Sequence, residues 1–193
     1  TITVQVIGNQ MTLSGSFSKL SSSVIEEQTH IHLGFAGQTE AVVFGLIPTL
    51  AEDGRSGAFD PALNTFAMND EQVEQLQNRQ FYVNIHTDNH PSGEIRGQLL
   101  PAAVAYFSAN LFGSNEVPSI PSRGSGSLIV EVTSPTQLTI SGSFQGLEGA
   151  FDASIGGGAH LHIGLPGQNG AVTIPINATT SEDLESGIFL PDD

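Results

Sequence analysis

The sequence predicts an all-β protein, an antiparallel β-sandwich that occurs in tandem. Two observations carry this prediction. Short segments of alternating apolar and polar residues are separated by turns rich in glycine and proline, which is typical of β-sandwiches. Blocks of the sequence also recur about 130 positions further along the chain, so one set of strands is followed by a second set.

The first copy contains six segments with the pattern of strands. Alternation predicts strands over residues 3–6, 11–17, 30–33, 81–86 and 94–99. A nearly continuous apolar run at residues 41–46 predicts a strand buried on both faces. Turn residues at positions 8–9 separate the first two strands, and Pro91, Ser92 and Gly93 predict a turn before the last one.

One helix is predicted, over residues 70–77. Asn69 or Asp70 can cap its first turn, and Val73 and Leu76 form a short apolar stripe. After this helix the chain returns to strands, and the second copy repeats the strand pattern over residues 128–132, 137–144, 159–163 and 171–176.

The repeat is one of domain size. The segment from Leu13 to Phe17 recurs 127 positions later, and the segment from His30 to Gly34 recurs 130 positions later. We expect a unit at residues 1–101 without its N-terminal strand region, and a unit at residues 102–193 without its C-terminal portion. Two explanations fit this frame: a segment of a longer repeat protein, or strand exchange between neighbouring molecules in a filament. Either way, the expected partner is another repeat or another copy of the chain.

Composition excludes several classes of protein. Twenty acidic residues oppose five basic ones, for a net charge of -15, yet only 13% of residues are charged. Nucleic acid and anionic membrane surfaces are poor partners for so few, scattered cations. There is no apolar run long enough to span a membrane as a helix. Cysteine is absent, which excludes disulfides and thiolate chemistry, and the composition favours an exported protein.

All the histidines fall into three groups on predicted strands. Residues two apart on a strand share a face, so the first His-x-His pair points one way while Ile31 points to the core. Neighbouring strands can bring several imidazoles together, a donor set that suits Cu(II), Zn(II) or Ni(II). The alternative is a set of solvated histidines forming cross-strand pairs. The candidate ligands are His30, His32, His86, His90, His160 and His162.

Four further polar residues lie near the predicted site. Tyr82 and Asn84 share the histidine face and are candidate hydrogen-bond donors to metal ligands. Glu94 and Arg96 lie two apart on one strand, where they can form a lateral ion pair or bind an anion.

The segments at residues 82–87 and 90–99 closely resemble the closing signature of the CHRD domain, the module named after chordin. Residues 30–34 resemble the central motif of that family, and residues 115–118 its opening motif. The resemblance implies an extracellular or cell-surface Greek-key sandwich, similar in fold to immunoglobulin domains and copper–zinc superoxide dismutase. It also implies that His30, His32 and His86 correspond to copper ligands, with His90 as a possible fourth. The zinc loop of that enzyme has no counterpart here.

The expected function is a secreted, non-enzymatic repeat module of an extracellular assembly or fibre. It would carry a histidine site for a transition metal, with copper as the expected metal and zinc as the alternative. A second hypothesis is a mononuclear copper redox enzyme resembling superoxide dismutase. A third is an extracellular protein-binding module, for which the sequence identifies no ligand.

Overall fold

The computed structural model describes residues 1–191 and confirms an all-β fold of antiparallel sheets. The described residues divide into two compact units. The first comprises Thr1–Gly34 and Thr39–Pro101, and the second comprises Phe35–Gln38 and residues 102–191. Asp192 and Asp193, which end the predicted second unit, lie outside the described residues.

One sheet of the first unit is built on a hairpin, β1 (Ile2–Ile7) and β2 (Gln10–Phe17), joined by a tight turn. Its order is β1-β2-β6-β5, and β7 pairs with the other end of β2. The alternation in β2 buries Met11 and Leu13 completely. The remaining strands of this sheet are short: β5 (Pro48–Leu50), β6 (Gly57–Phe59) and β7 (Thr65–Ala67).

The other sheet of the first unit has the order β4-β3-β8-β9. Its central strand β8 is buried at every position, whereas Val42 on the edge strand is 51% exposed. The prediction of a strand buried on both faces at residues 41–46 is therefore wrong, because the edge position leaves this strand open to solvent. The strands are β3 (Val24–Leu33), β4 (Val42–Gly45), β8 (Phe81–Thr87) and β9 (His90–Gln98).

The turn before β9 also differs from the prediction. Pro91, Ser92 and Gly93 lie within β9, and the turn is formed by residues 88–89. Thr87 pairs with His90 across it, so the hairpin is closed by two residues.

The predicted helix is present as α1 (Asp70–Gln77). The Asn69 side chain accepts a hydrogen bond from the backbone of Gln72, whose side chain bonds back to the Asn69 N–H. This capping box starts the helix, and the acidic residues in the first turn interact favourably with the positive N-terminal end of the helix dipole. Val73 and Leu76 pack against the core, as their spacing predicts.

The core of the first unit lies between its two sheets. Leu13 and Phe59 from one sheet join Ile31 and Val83 from the other in one buried cluster. This packing confirms the sandwich. It also means that every second residue of β3 and β8 points away from the core, toward the outer face that carries the histidines.

The second unit repeats this plan in part. Its larger sheet has the order β10-β11-β12-β16-β15, and its smaller sheet contains only β13 and β14 among the described residues. The strands are β10 (Ala105–Phe112), β11 (Ser125–Ser134), β12 (Gln137–Gln145), β13 (Ala159–Ile163), β14 (Ala171–Ile176), β15 (Thr179–Thr180) and β16 (Gly187–Phe189).

The recurring glycine in β2 and β12 has a steric cause. Gly15 has a φ of 140° and Gly142 a φ of 152°. A Cβ at Gly15 would lie 2.2 Å from the Thr1 carbonyl oxygen, and one at Gly142 would lie 2.0 Å from that of Ser127. Only glycine fits at this close approach of two strands, so the repeat preserves it.

Among residues 1–191, no helix has both the length and the apolar character needed to cross a membrane.

Candidate metal centre

Three histidines converge on the outer face of the four-stranded sheet. His30 and His32 lie on β3, and His86 lies on the neighbouring β8. One nitrogen from each ring lies within 4.8 Å of the other two. The ring centroid of His30 is 5.5 Å from that of His32 and also 5.5 Å from that of His86. Small side-chain adjustments would bring these nitrogens to the roughly 2.0 Å distance of metal–imidazole bonds.

The outer face of β8 is more enclosed than the alternation alone suggests. Tyr82 is fully buried, and Asn84 and His86 are 7% and 8% exposed. His32 is equally buried, while His30 is half-buried. The three rings therefore sit in a mostly dry environment, which strengthens electrostatic interactions with any bound cation.

A backbone carbonyl fixes the tautomer of each ring. A carbonyl oxygen only accepts hydrogen bonds, so the ring nitrogen facing it must carry the proton. The three bonds run from His30 Nε2 to the Glu27 carbonyl at 3.0 Å, from His32 Nδ1 to the Glu40 carbonyl at 2.9 Å, and from His86 Nδ1 to the Pro91 carbonyl at 2.9 Å.

The second nitrogen of each ring is consequently a lone-pair donor. These atoms are His30 Nδ1, His32 Nε2 and His86 Nε2, and all three are buried without a hydrogen-bond partner among the residues that the structure describes. A buried polar atom without a partner costs about 1–3 kcal/mol. Three such atoms, on rings that each place a nitrogen within 4.8 Å of the other two and whose tautomers are set by backbone carbonyls, form an arrangement suited to a metal ion.

The electrostatics of His30 favour the form that binds metal. Burial lowers the pKa of His30, and the neighbouring imidazoles of His32 and His86 lower it further. The hydrogen bond to the Glu27 carbonyl raises the pKa of His30, but this effect is smaller than that of burial. Because only a neutral imidazole binds metal, a lowered pKa extends metal binding toward lower pH.

Tyr82 and Arg96 form a stack behind the site. The Tyr82 ring lies parallel to that of His32, with centroids 5.0 Å apart and an interplanar angle of 9°. The Arg96 guanidinium lies 3.5 Å from the Tyr82 centroid, a cation–π contact. Tyr82 therefore orients His32 by ring stacking. Asn84 follows Tyr82 by two residues on the same face of β8. Its side-chain amide packs so closely against Gly93 that a Cβ at Gly93 would lie 2.5 Å from the Asn84 amide oxygen.

Glu94 binds to the loop that leads into β3. Its carboxylate accepts hydrogen bonds from the Thr87 hydroxyl at 2.7 Å and from the backbone and hydroxyl of Ser21 at 2.7 and 3.0 Å. Glu94 thus ties the β8–β9 hairpin to the segment before β3. This contact lies beside the candidate site, because Thr87 directly follows His86 in the sequence.

Replacing Glu94 with glutamine is expected to destabilise the protein near neutral pH and to have little effect in acid. Hydrogen bonds from Thr87 and Ser21 lower the pKa of Glu94, so the ionised carboxylate stabilises the folded state above the ordinary glutamate pKa. This contribution is lost as the pH falls through the lowered pKa of the folded state. Thermal unfolding of both proteins from about pH 7 to about pH 3 measures the difference. A difference that stays constant over this range would contradict the assignment.

His90 lies outside the cluster. It is exposed at the start of β9, opposite Thr87, and its charge acts on the carboxylate of Glu94. The structure therefore brings together three of the four candidate ligands in the first unit.

The histidines of the second unit form a pair. The rings of His160 and His162 lie 4.7 Å apart. His162 Nδ1 bonds to the Gly170 carbonyl at 2.8 Å, which repeats the bond of His32 to residue 40, whereas His160 uses Nδ1 toward the Gly156 carbonyl. Among the described residues, this unit has no strand corresponding to β8 and hence no third imidazole.

Sequence reasoning missed the carbonyls that set the tautomers. Glu27 has a φ of 59° and lies where the β3–β8 register shifts, so its carbonyl leaves the regular ladder. The residue type at such a position carries little information, since residue 40 is glutamate and its counterpart at 170 is glycine. The only available signal was the identical spacing from the second histidine of each copy.

The chain was also compared with models of known protein families. The model of the CHRD domain matches residues 1–99 and again residues 107–188. The two matches cover most of the chain and are consistent with a tandem repeat. Comparisons with curated proteins and with solved structures gave no match.

Proposed function

This chain belongs to the CHRD domain family, and we propose that it is an extracellular, non-enzymatic repeat module with a copper centre at His30, His32 and His86. CHRD domains occur in extracellular proteins and are generally non-enzymatic. In such a module the bound metal would hold the fold together.

The observation that carries the proposal is the convergence of three buried, unpartnered imidazole nitrogens. Each would otherwise remain desolvated without compensation, and a metal ion satisfies all three at once. A donor set of nitrogen alone suits copper and zinc, and among divalent ions Cu(II) binds such sites most tightly. The net charge of -15 attracts cations in general.

The position of the site explains what the metal would do. The ligands come from β3 and β8, which are neighbours in the sheet but distant in sequence. A bound ion would cross-link the two strands and stabilise the folded unit. This stabilisation grows with the ratio of the metal concentration to the dissociation constant. Tandem modules stiffened in this way suit an extracellular assembly built from repeats or copies of this chain.

The test is the metal content of the natively isolated protein, followed by thermal unfolding with and without added copper. We expect close to one copper per chain and a higher melting temperature in the presence of Cu(II). Zinc at the same stoichiometry would assign the site to the alternative metal. No bound transition metal, together with a melting temperature that copper does not change, would refute the proposal.

A second candidate is a copper redox enzyme similar to superoxide dismutase. Two observations favour it: a copper ion held by these three histidines would have room for a further ligand, and Arg96 places a positive charge next to Tyr82 and the site. The overall negative charge opposes the approach of an anion such as superoxide. Dismutase activity of the copper-loaded chain, reduced by Arg96→Gln at low ionic strength, would favour this candidate.

A further inference from the structure

One three-residue segment of the second unit carries a modification signal that its counterpart in the first unit lacks. The segment from Asn177 to Thr179 fits the acceptor pattern for N-linked glycosylation, which is asparagine, any residue except proline, and then serine or threonine. The pattern occurs nowhere else in the sequence. Because so short a pattern also arises by chance, its structural setting has to support it.

The two copies differ at the positions that create this pattern. At a spacing of 130 residues, the second copy has Asn177 where the first has Ile47. It also has Ala178 where the first has Pro48, and threonine follows in both copies. Asparagine alone would not be enough, because proline in the middle position blocks the acceptor pattern. The second copy therefore carries both changes that an acceptor needs and keeps the threonine hydroxyl.

The acceptor side chain is open to solvent. Asn177 and Thr179 are both exposed, whereas the preceding Ile176 is buried. The same position is open in the first unit, where Ile47 is 56% exposed and Thr49 is exposed. Exposure at this corner is therefore a property of the fold that both units share, and a glycosylating enzyme can reach the amide.

The segment leads directly into a sheet edge. β15 is the last strand of its sheet, as β5 is in the first unit, and no described strand pairs with its outer side. The Ser181 N–H bonds inward to the Ser186 carbonyl at 2.9 Å, and the Ala51 N–H bonds to the Ser56 carbonyl in the same way. Because inward and outward backbone groups alternate along an antiparallel edge strand, the residue three positions earlier directs its backbone toward the free side.

Proline protects this edge in the first unit alone. Pro48 lies at the outward position and has no N–H to offer to an added strand, which is a common means of protecting a sheet edge. Ala178 at the same position in the second unit restores the N–H. A glycan on the neighbouring Asn177 would occupy the solvent beside this edge and keep another strand away. The two changes therefore remove one form of protection and supply another.

We propose that Asn177 is an N-glycosylation site and that its glycan protects the free edge of β15. The donor would be an oligosaccharide linked to a lipid pyrophosphate. The Asn177 amide nitrogen forms a bond to the anomeric carbon of the first sugar and loses a proton, while the bond from that carbon to the pyrophosphate oxygen breaks. The proposal rests on the extracellular placement in the proposed function and is independent of the metal.

Peptide mapping of the natively isolated chain by mass spectrometry tests the site. We expect the peptide that contains Asn177 to carry the added mass of an oligosaccharide. Thr179→Ala should abolish this modification while leaving the asparagine in place, and Ala178→Pro should abolish it as well. Asn169→Gln is the matched control, because Asn169 is exposed but is not followed by the acceptor pattern, so its replacement should leave the glycan unchanged.

The first unit offers a converse test. Ile47→Asn combined with Pro48→Ala creates the acceptor pattern at the equivalent exposed position, and we expect a second glycan there. Ile47→Asn alone should add none, because proline still follows. A double variant that gains no glycan in a host that modifies Asn177 would contradict the argument from shared exposure.

The location of the chain separates this proposal from the proposed function. An unmodified Asn177 on chains isolated from outside the cell would overturn the glycosylation site and leave the proposed function standing. Unmodified chains found only inside the cell would refute the extracellular placement as well. Glycans on other residues alone would also overturn the site.

Amide exchange at increasing protein concentration tests the protective role. Asn177→Gln lacks the glycan and keeps the outward N–H, so we expect it to self-associate with slower amide exchange in β15. Ala178→Pro also lacks the glycan but restores the proline of the first unit, so it should remain unassociated at β15 like the glycosylated chain. Equal behaviour of the two variants would overturn the protective role and leave the site itself standing.

Discussion

Replacing His86 with alanine is expected to weaken Cu(II) binding by about 100-fold or more. The change removes one of three converging ligands, and even changes to the groups that orient a ligand weaken metal affinity by about 10- to 100-fold. His86 lies at the end of β8, where the loss of its ring exposes the Pro91 carbonyl to water without opening the core. Titration against a chromophoric chelator of known affinity measures the change.

His90→Ala is the matched control for this variant. His90 lies on the same hairpin and carries the same imidazole, but it is exposed and outside the cluster. We expect its copper affinity to stay within about twofold of wild type. Equal losses in the two variants would mean that copper binds to histidines in general, and no loss in His86→Ala would place the site elsewhere.

Replacing Asn64 with alanine is expected to destabilise the first unit by about 3 kcal/mol, the largest effect on stability that we predict. Asn64 is fully buried. Its amide accepts a hydrogen bond from the Ile47 N–H at 2.8 Å and donates to the carbonyls of Ile47 and Asp60 at 3.0 and 2.9 Å. Alanine removes the hydrogen bonds to both Ile47 backbone groups, while the Asp60 carbonyl still accepts one from the Leu63 N–H at 3.0 Å, and backbone groups that lose their partners are costly.

This loss is measured by urea unfolding of the full chain, monitored with a probe located in the first unit. Asn89→Ala is the control, because Asn89 is exposed in the β8–β9 turn and its backbone N–H, not its side chain, donates the hydrogen bond to the Ser22 hydroxyl. We expect that variant to stay within about 0.5 kcal/mol of wild type. Similar unfolding midpoints for the two variants would show that the Asn64 side chain does not hold these loops together.

The sequence was sufficient to predict long strands such as β2, β3 and β8 and the convergence of His30, His32 and His86, but not the short strands β5, β6 and β7 or strand β10. Both follow from the period of two along a strand, which fixes which residues share a face. The turn at residues 88–89 and the exposed edge strand β4 were not predictable in the same way. Strand order and hairpin closure depend on pairing between distant segments, which local alternation does not encode.

The finer features of the site depend on the backbone. Three carbonyls fix the ring tautomers, and their directions come from a register shift and from loop paths. Glu94 likewise acts through the backbone and hydroxyl of Ser21, 73 positions away in sequence. Residue identity reveals such contacts only after the fold has brought the segments together.

The central claim is that three imidazoles of this chain bind one copper ion. Electron paramagnetic resonance of the full chain with slightly less than one equivalent of Cu(II) tests it most directly. The structure predicts a single Cu(II) species with hyperfine splitting from three nitrogen ligands, which His32→Ala reduces or abolishes. A spectrum without nitrogen splitting, or one that His32→Ala leaves unchanged, would contradict the claim and leave the three histidines as an unliganded cluster on the sheet.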